Sequence, residues 1–327
     1  MLDTAADALP LRGRSQLLTF TGQLLLEGPT PMLMAMVSPE ERLRQAFPFA
    51  ATSVDEEAAV FHQLFSYDVH PYASVMMDDE GRVGGRVSAA IHHFYQKAGY
   101  APDLRSEPAD HLGHALGFLG YLDGEEADAA DDDVLSGDIQ AARTVFVDQI
   151  MRWWWPPLMV ALQRTGREPY ASMTGWLTAL LIEMADGFSA PVATDTPPFP
   201  SAPHPLEDPS AGLRDIAAHL LVPVYTGVVL TRQDIRRLAH QFEAPSGFGT
   251  TTDQLENLLR SAFRFDTGDA VLSALHQWLD EAEREYADLG SHSRFGAPAA
   301  FWQERVRGTR AMLATITSAL ERLVDTD

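Results

Sequence analysis

The sequence predicts an all-α protein, on three observations. Apolar residues recur at helical spacing in segment after segment, helix-start signals precede several of those segments, and one proline-rich stretch divides them into two groups. The first helix is expected over residues 14–26, closed by Glu27, Gly28 and Pro29. Ser38, Pro39, Glu40 and Glu41 read as a capping box with proline at the first helical position. A third helix is expected over 54–66. Residues 67–85 read as a loop, carrying Pro71 and the turn Asp78, Asp79, Glu80, Gly81. Helices resume over 87–98 and again from Pro108. Residues 123–133 read as a charged loop before apolar helices over 137–154, 157–164 and 169–187.

Seven prolines, from Pro191 to Pro209, then make residues 191–212 an extended linker. Beyond it helices are expected over 213–221, from a Thr231–Asp234 cap, over 252–265, over 268–285 and over 298–324. The β-branched run from Val224 to Leu230 fits either a short strand or a buried extended segment. The expected organisation is therefore a helical domain over 1–190, a linker over 191–212 and a helical extension over 213–327, with no internal repeat.

Residues 107–122 are the most informative stretch. Pro108 suits the first position of a helix, and Asp110 then falls in the first turn, at the positive end of the dipole. Leu112, Ala115, Leu116, Leu119 and Leu122 form an apolar face, His111, His114 and Phe118 a second, and Gly113, Gly117 and Gly120 a third. Each interior glycine costs about 1 kcal/mol against alanine, so the stripe predicts close approach by another backbone.

Composition narrows the function classes. Mean hydropathy is −0.12, cysteine is absent, and the N-terminal residues lack the basic-then-apolar order of a secretory signal. The longest apolar runs fall short of the ~20 residues that span a bilayer. These features point to a cytoplasmic protein. The formal net charge of −22 argues against nucleic acid and favours a basic partner. Lys97 is the one lysine, which disfavours Schiff-base and Walker-type chemistry.

Catalytic patterns are weak. Gly247, Phe248, Gly249 lacks the third glycine of a phosphate loop, and no nucleophile elbow or zincin motif occurs. His92 with His93, and His111 with His114, approach metal-ligand spacing without a third ligand, so no metal site is expected. Asp110 and His111 point about 100° apart on a helix and cannot form a dyad with each other. Residues 231–244 have the look of a DNA-recognition segment, but the acidic charge makes a core helix the better reading. Trp153, Trp154 and Trp155 precede Pro156 and Pro157, where a helix is expected to end or kink, and at least one indole is expected to be exposed.

Taken in order, these motifs resemble the TorD, DmsD and NarJ group of molybdoenzyme maturation chaperones. The resemblance runs from Phe61, His62, Gln63, Leu64 and Phe65, through 70–78 and the Glu107–His111 motif with its apolar helix, to the aromatic segment 155–181. It covers about residues 12–187. It departs at Ala73 and Ala115, where the family often carries an acid. Residues 222–249 are similar to C-terminal regions of longer chaperones that serve enzymes of the dimethylsulfide-dehydrogenase type.

The resemblance implies a TorD-like helical bundle that is not an enzyme. It implies binding of an apo molybdoenzyme catalytic subunit, with that subunit's twin-arginine signal peptide as a second candidate ligand. Tyr72, Ser74, Glu107, Asp110, His111, His114 and Trp155 become the candidate client-binding residues. No cofactor is implied, contact with guanine nucleotide or molybdopterin cofactor being left open, and the oligomeric state is a monomer or a domain-swapped dimer. Two other classes stay open on the residues alone: an enzyme using Asp110 or His111 in acid-base chemistry such as nucleotide hydrolysis, and an acidic scaffold or regulatory protein. A purely capping role for Asp110 and His111 fits the residues equally well.

Overall fold

A computed structural model of the chain describes residues 9–37, 41–49, 53–186, 199, 201–244 and 249–324. Among them the structure is all-α, with no strand beyond a single antiparallel bridge between Tyr72 and His111. Ser38–Glu40 of the expected capping box and residues 191–198 and 200 of the proline-rich linker lie outside the described residues. The chain forms two compact units, one made of 1–75 and 82–196, the other of 76–81 and 197–327.

The helices of the first unit are α1 (Leu11–Glu27), α2 (Pro31–Val37), α3 (Glu41–Ala46), α4 (Val54–His62), the start of α5 (Ala73–Met77), α6 (Gly85–Lys97), α7 (Leu112–Asp128), α8 (Asp133–Phe146), α9 (Arg152–Thr165) and α10 (Tyr170–Asp186). Ser53 caps α4 by accepting the Glu56 N–H, and Asp132 caps α8 through the N–H groups of Val134 and Leu135. The core of this unit is the α1–α7 pair. Gly22 on α1 meets Gly113 and Gly117 on α7 so closely that a Cβ built on Gly22 would lie 2.6 Å from the Gly113 carbonyl oxygen. The glycine stripe is thus a backbone-to-backbone crossing, as the cost of interior glycines predicts.

Four expectations are corrected here. Residues 67–85 are not all loop, because Ala73–Met77 folds as α5 with its first N–H groups held by residue 110. The helix expected from Pro108 begins at Leu112. Residues 108–111 form a turn closed by the His111 N–H on the Pro108 carbonyl, which leaves Asp110 outside the helix. The charged stretch 123–133 is helical as far as Asp128, since Asp123 and Glu126 are buried and paired rather than solvated. The helix does not end at Pro156 and Pro157 either. They lie inside α9, just after a π-helical turn over Val147–Met151. Within that turn the Arg152 Nε donates to the Asp148 carbonyl.

All three tryptophans of 153–155 are buried, contrary to the exposure expected of at least one. Consecutive indoles diverge around a helix, and here every side of α9 is covered.

The second unit holds α11 (Leu213–Leu220), α12 (Pro223–Thr226), α13 (Arg232–Gln241), α14 (Thr251–Arg264), α15 (Gly268–Gly290) and α16 (Gly296–Val324). The run Val224–Leu230 is neither strand nor fully extended: it starts as α12 and turns at Gly227, where φ is 76°. Tyr286 Oη donates to the Gly227 carbonyl at 2.7 Å and Thr309 Oγ1 to the Thr226 carbonyl at 3.1 Å, pinning this turn to α15 and α16. Reciprocal capping boxes, Thr231 with Asp234 and Thr250 with Asp253, start α13 and α14.

Candidate functional site

The site is built where the turn before α7 meets the segment entering α5. Two backbone hydrogen bonds pair the strands of chain, Ala73 N–H to the Asp110 carbonyl at 3.0 Å and Leu112 N–H to the Pro71 carbonyl at 2.8 Å. Asp110, 1% exposed, supplies the central anchor. Its Oδ2 accepts the Ser74 N–H at 2.9 Å and the Ser74 hydroxyl at 2.5 Å. Ser74 Oγ in turn accepts the Gly84 N–H at 2.9 Å, so one carboxylate secures both ends of the 74–84 segment. A charge-assisted bond of this kind contributes about 1.5–3 kcal/mol.

His111 is the N-cap of α7, its Nδ1 accepting the Gly113 N–H at 3.0 Å. Its ring meets that of Tyr72 edge to face at 4.9 Å. His114 Nε2 reaches the Glu107 carbonyl at 3.2 Å. Over this buried layer, Tyr72 Oη donates to the Glu107 carboxylate at 2.5 Å, and these two side chains are half-buried. Burial and the Glu107 carboxylate both push the Tyr72 hydroxyl well above its ordinary range, which keeps it a hydrogen-bond donor.

The structure therefore brings six of the seven candidate residues together and sorts them by depth. Ser74, Asp110, His111 and His114 are buried, whereas Tyr72 and Glu107 reach the surface. Trp155 has a different setting. It is buried on α9, its Nε1 donating to Thr178 Oγ1 on α10 at 2.9 Å. Tyr95, fully buried near Asp110, was not foreseen: its hydroxyl pKa is raised by burial first, then by Tyr100 and Asp110. Only its helical apolar spacing marked it, and that signals core.

His111 makes folding pH-dependent. Burial, then the nearby His114, push its pKa down to about 3 from an ordinary 6.5. The unfolded chain thus takes up a proton that the folded chain refuses. Stability is complete above about pH 6.5 and falls as the pH drops towards 3; by pH 5 this residue withdraws about 2 kcal/mol. Asn in place of His111 still accepts the Gly113 N–H and is expected to flatten that part of the profile in urea unfolding between pH 7 and 5. A profile as steep as wild type would assign the proton to another group.

Asp110 and His111 are committed to holding backbone N–H groups and a neighbouring hydroxyl, not to each other. The class this defines is a helical protein whose acid-base groups at this site serve as structural anchors. Residues 35–159 match the family described as nitrate reductase delta subunit, the same NarJ/TorD-type chaperone family that the Glu107–His111 motif resembles. That family serves molybdoenzyme maturation and is one of chaperones, not enzymes. No curated protein and no solved structure matches the chain. Among the described residues no helix is long and apolar enough to cross a membrane.

Proposed function

We propose that the chain is a cytoplasmic chaperone that binds the apo catalytic subunit of a molybdopterin-dependent oxidoreductase, with Tyr72 and Glu107 making the contact. The observation that carries this is the depth order of the site: a tyrosine and a carboxylate, bonded to each other and half-exposed, rest on a rigid layer of Ser74, Asp110, His111 and His114. A positively charged, then apolar, client segment complements such an edge in charge and in surface, and the net charge of −22 favours its approach. The twin-arginine signal peptide of the client has this chemistry and is the segment proposed to dock. The buried four act by positioning. The client-binding work is assigned to residues 1–190, with 213–327 as an extension.

The test is retention of the molybdoenzyme subunit from the protein's own cell lysate, followed by titration with that subunit's signal peptide. Tyr72→Phe combined with Glu107→Gln is expected to weaken retention about tenfold, the equivalent of one lost charge-assisted contact, with little change in melting temperature. Asp110→Ala is expected to lower both. Undiminished retention by the Tyr72→Phe, Glu107→Gln variant would move the contact elsewhere, and retrieval of no molybdoenzyme subunit would remove the function.

A further inference from the structure

Every residue of α2, Pro31–Val37, is apolar. Leu33 and Val37 are buried and anchor the helix. Thr30 caps it, its hydroxyl accepting the Leu33 N–H at 3.2 Å and its carbonyl the Met34 N–H at 2.9 Å. The opposite side faces solvent. Pro31, Met32, Ala35 and Met36 are exposed there, Met32 by 69% and Met36 by 47%, about one helical turn apart.

The other methionines differ in access. Six of the chain's eleven, Met76, Met151, Met159, Met173, Met184 and Met312, are buried, and Met34 and Met77 are partly covered. Cysteine is absent, so no thiol competes for an oxidant, and an exposed thioether is the group that a mild peroxide attacks first. Two such sulphurs therefore stand together on one short helix whose remaining side chains are hydrocarbon.

We propose that α2 is a reversible methionine-oxidation site, with Met32 and Met36 as the residues modified. In the forward step the thioether sulphur takes one oxygen from hydrogen peroxide: an S–O bond forms, the O–O bond breaks and water leaves. Sulphur is oxidised by two electrons, and the peroxide is reduced by them. The reverse step needs a dithiol, which a chain without cysteine cannot supply. A methionine sulfoxide reductase supplies it, its two thiols closing to a disulfide as the oxygen departs as water. The sulfoxide is polar where the thioether is apolar, so these two sulphurs alone decide the polarity of the exposed side of α2. The fold survives the change. Thr30, Leu33 and Val37, which hold the helix, carry no sulphur, whereas a sulfoxide at Met76 or Met173 would place an uncompensated dipole in the core.

The test exposes the full chain to a low molar excess of hydrogen peroxide and follows oxygen uptake at each methionine by peptide mass spectrometry. Met32 and Met36 are expected to oxidise at least about tenfold faster than Met76, Met151 and Met173, since a buried sulphur reacts only when the chain opens. The product should elute earlier from a hydrophobic-interaction column with an unchanged circular-dichroism spectrum. Methionine sulfoxide reductase with dithiothreitol should restore the original elution. Met32→Leu combined with Met36→Leu keeps the apolar bulk without the sulphur and is expected to remove the elution shift. Rates at Met32 and Met36 no faster than at the buried three overturn the site, a result that needs no variant to fold. An elution shift that persists in the leucine variant places the modification elsewhere and overturns the assignment. Loss of the helical spectrum when these two residues are oxidised, or failure of the reductase to restore the elution, overturns reversibility.

Discussion

Alanine at Gly22 or Gly113 is expected to destabilise the protein by about 2–3 kcal/mol, and leucine at either position to prevent folding of the first unit. The reason is what the new atom meets. A Cβ at Gly22 would stand 2.6 Å from the Gly113 oxygen and 3.1 Å from the Gly117 nitrogen; one at Gly113 would stand 2.7 Å from the Gly22 oxygen. These are backbone atoms of two packed helices, and they retreat only if the helices separate. Separation would also open the contacts of Leu18, Leu116 and Leu119, all fully buried. The gain in helix propensity, about 1 kcal/mol per glycine replaced, does not offset this.

The controls lie in the same unit. Gly137 on α8 and Gly175 on α10 are helical glycines with nothing within 4 Å of a built Cβ. Alanine at either is expected to raise stability by about 0.5–1 kcal/mol. Chemical denaturation of the four single variants decides the matter: if Gly22→Ala and Gly137→Ala shift the midpoint in the same direction, the crossing is not as tight as its geometry requires.

Half of this crossing was legible in the sequence. Gly113, Gly117 and Gly120 stand at helical spacing inside an apolar helix, and three such costs in one element ask for a partner. Gly22 gave no such signal, since the one other glycine of α1, Gly13, forms no stripe with it. The same division runs through the candidate site. Local chemistry, such as the Thr231–Asp234 capping box, is written within four residues and was readable. The bond from Asp110 to Ser74 spans 36 residues, and nothing near Asp110 distinguishes a buried anchor from a helix-start carboxylate aimed at solvent. Depth was therefore the missing information: only folding shows that Tyr72 and Glu107 lie above Ser74, Asp110, His111 and His114. Pro156 and Pro157 misled for a related reason. A proline pair disfavours a helix locally, but here the chain stays helical through it, with a π-helical turn ahead of α9.

The second large effect lies in charges that the sequence presented as solvated. Asp123, fully buried on α7, accepts Arg14 Nε at 2.6 Å and Nη2 at 2.9 Å from α1, and Arg143 Nη1 at 2.6 Å from α8. Arg143 also pairs with Glu126, and Arg14 with the more exposed Glu183 at 3.1 Å. Asp123→Ala leaves two buried guanidiniums short of a partner and is expected to cost about 3–5 kcal/mol. Its magnitude reflects stranded charge, not the net worth of the bridge, since desolvation already offsets much of the Coulomb attraction in the intact triad. That distinction is testable within one cycle. In Arg14→Met with Asp123→Leu, both partners of the bidentate pair become apolar, Arg143 keeps Glu126, and Glu183 is free to turn to solvent. This double variant is expected to recover most of the loss, giving a coupling energy of about 2 kcal/mol or more between positions 14 and 123. Additive losses in denaturant unfolding would mean that residue 123 matters for its shape and not for its charge, and would leave the continuation of α7 to Asp128 without its electrostatic cause.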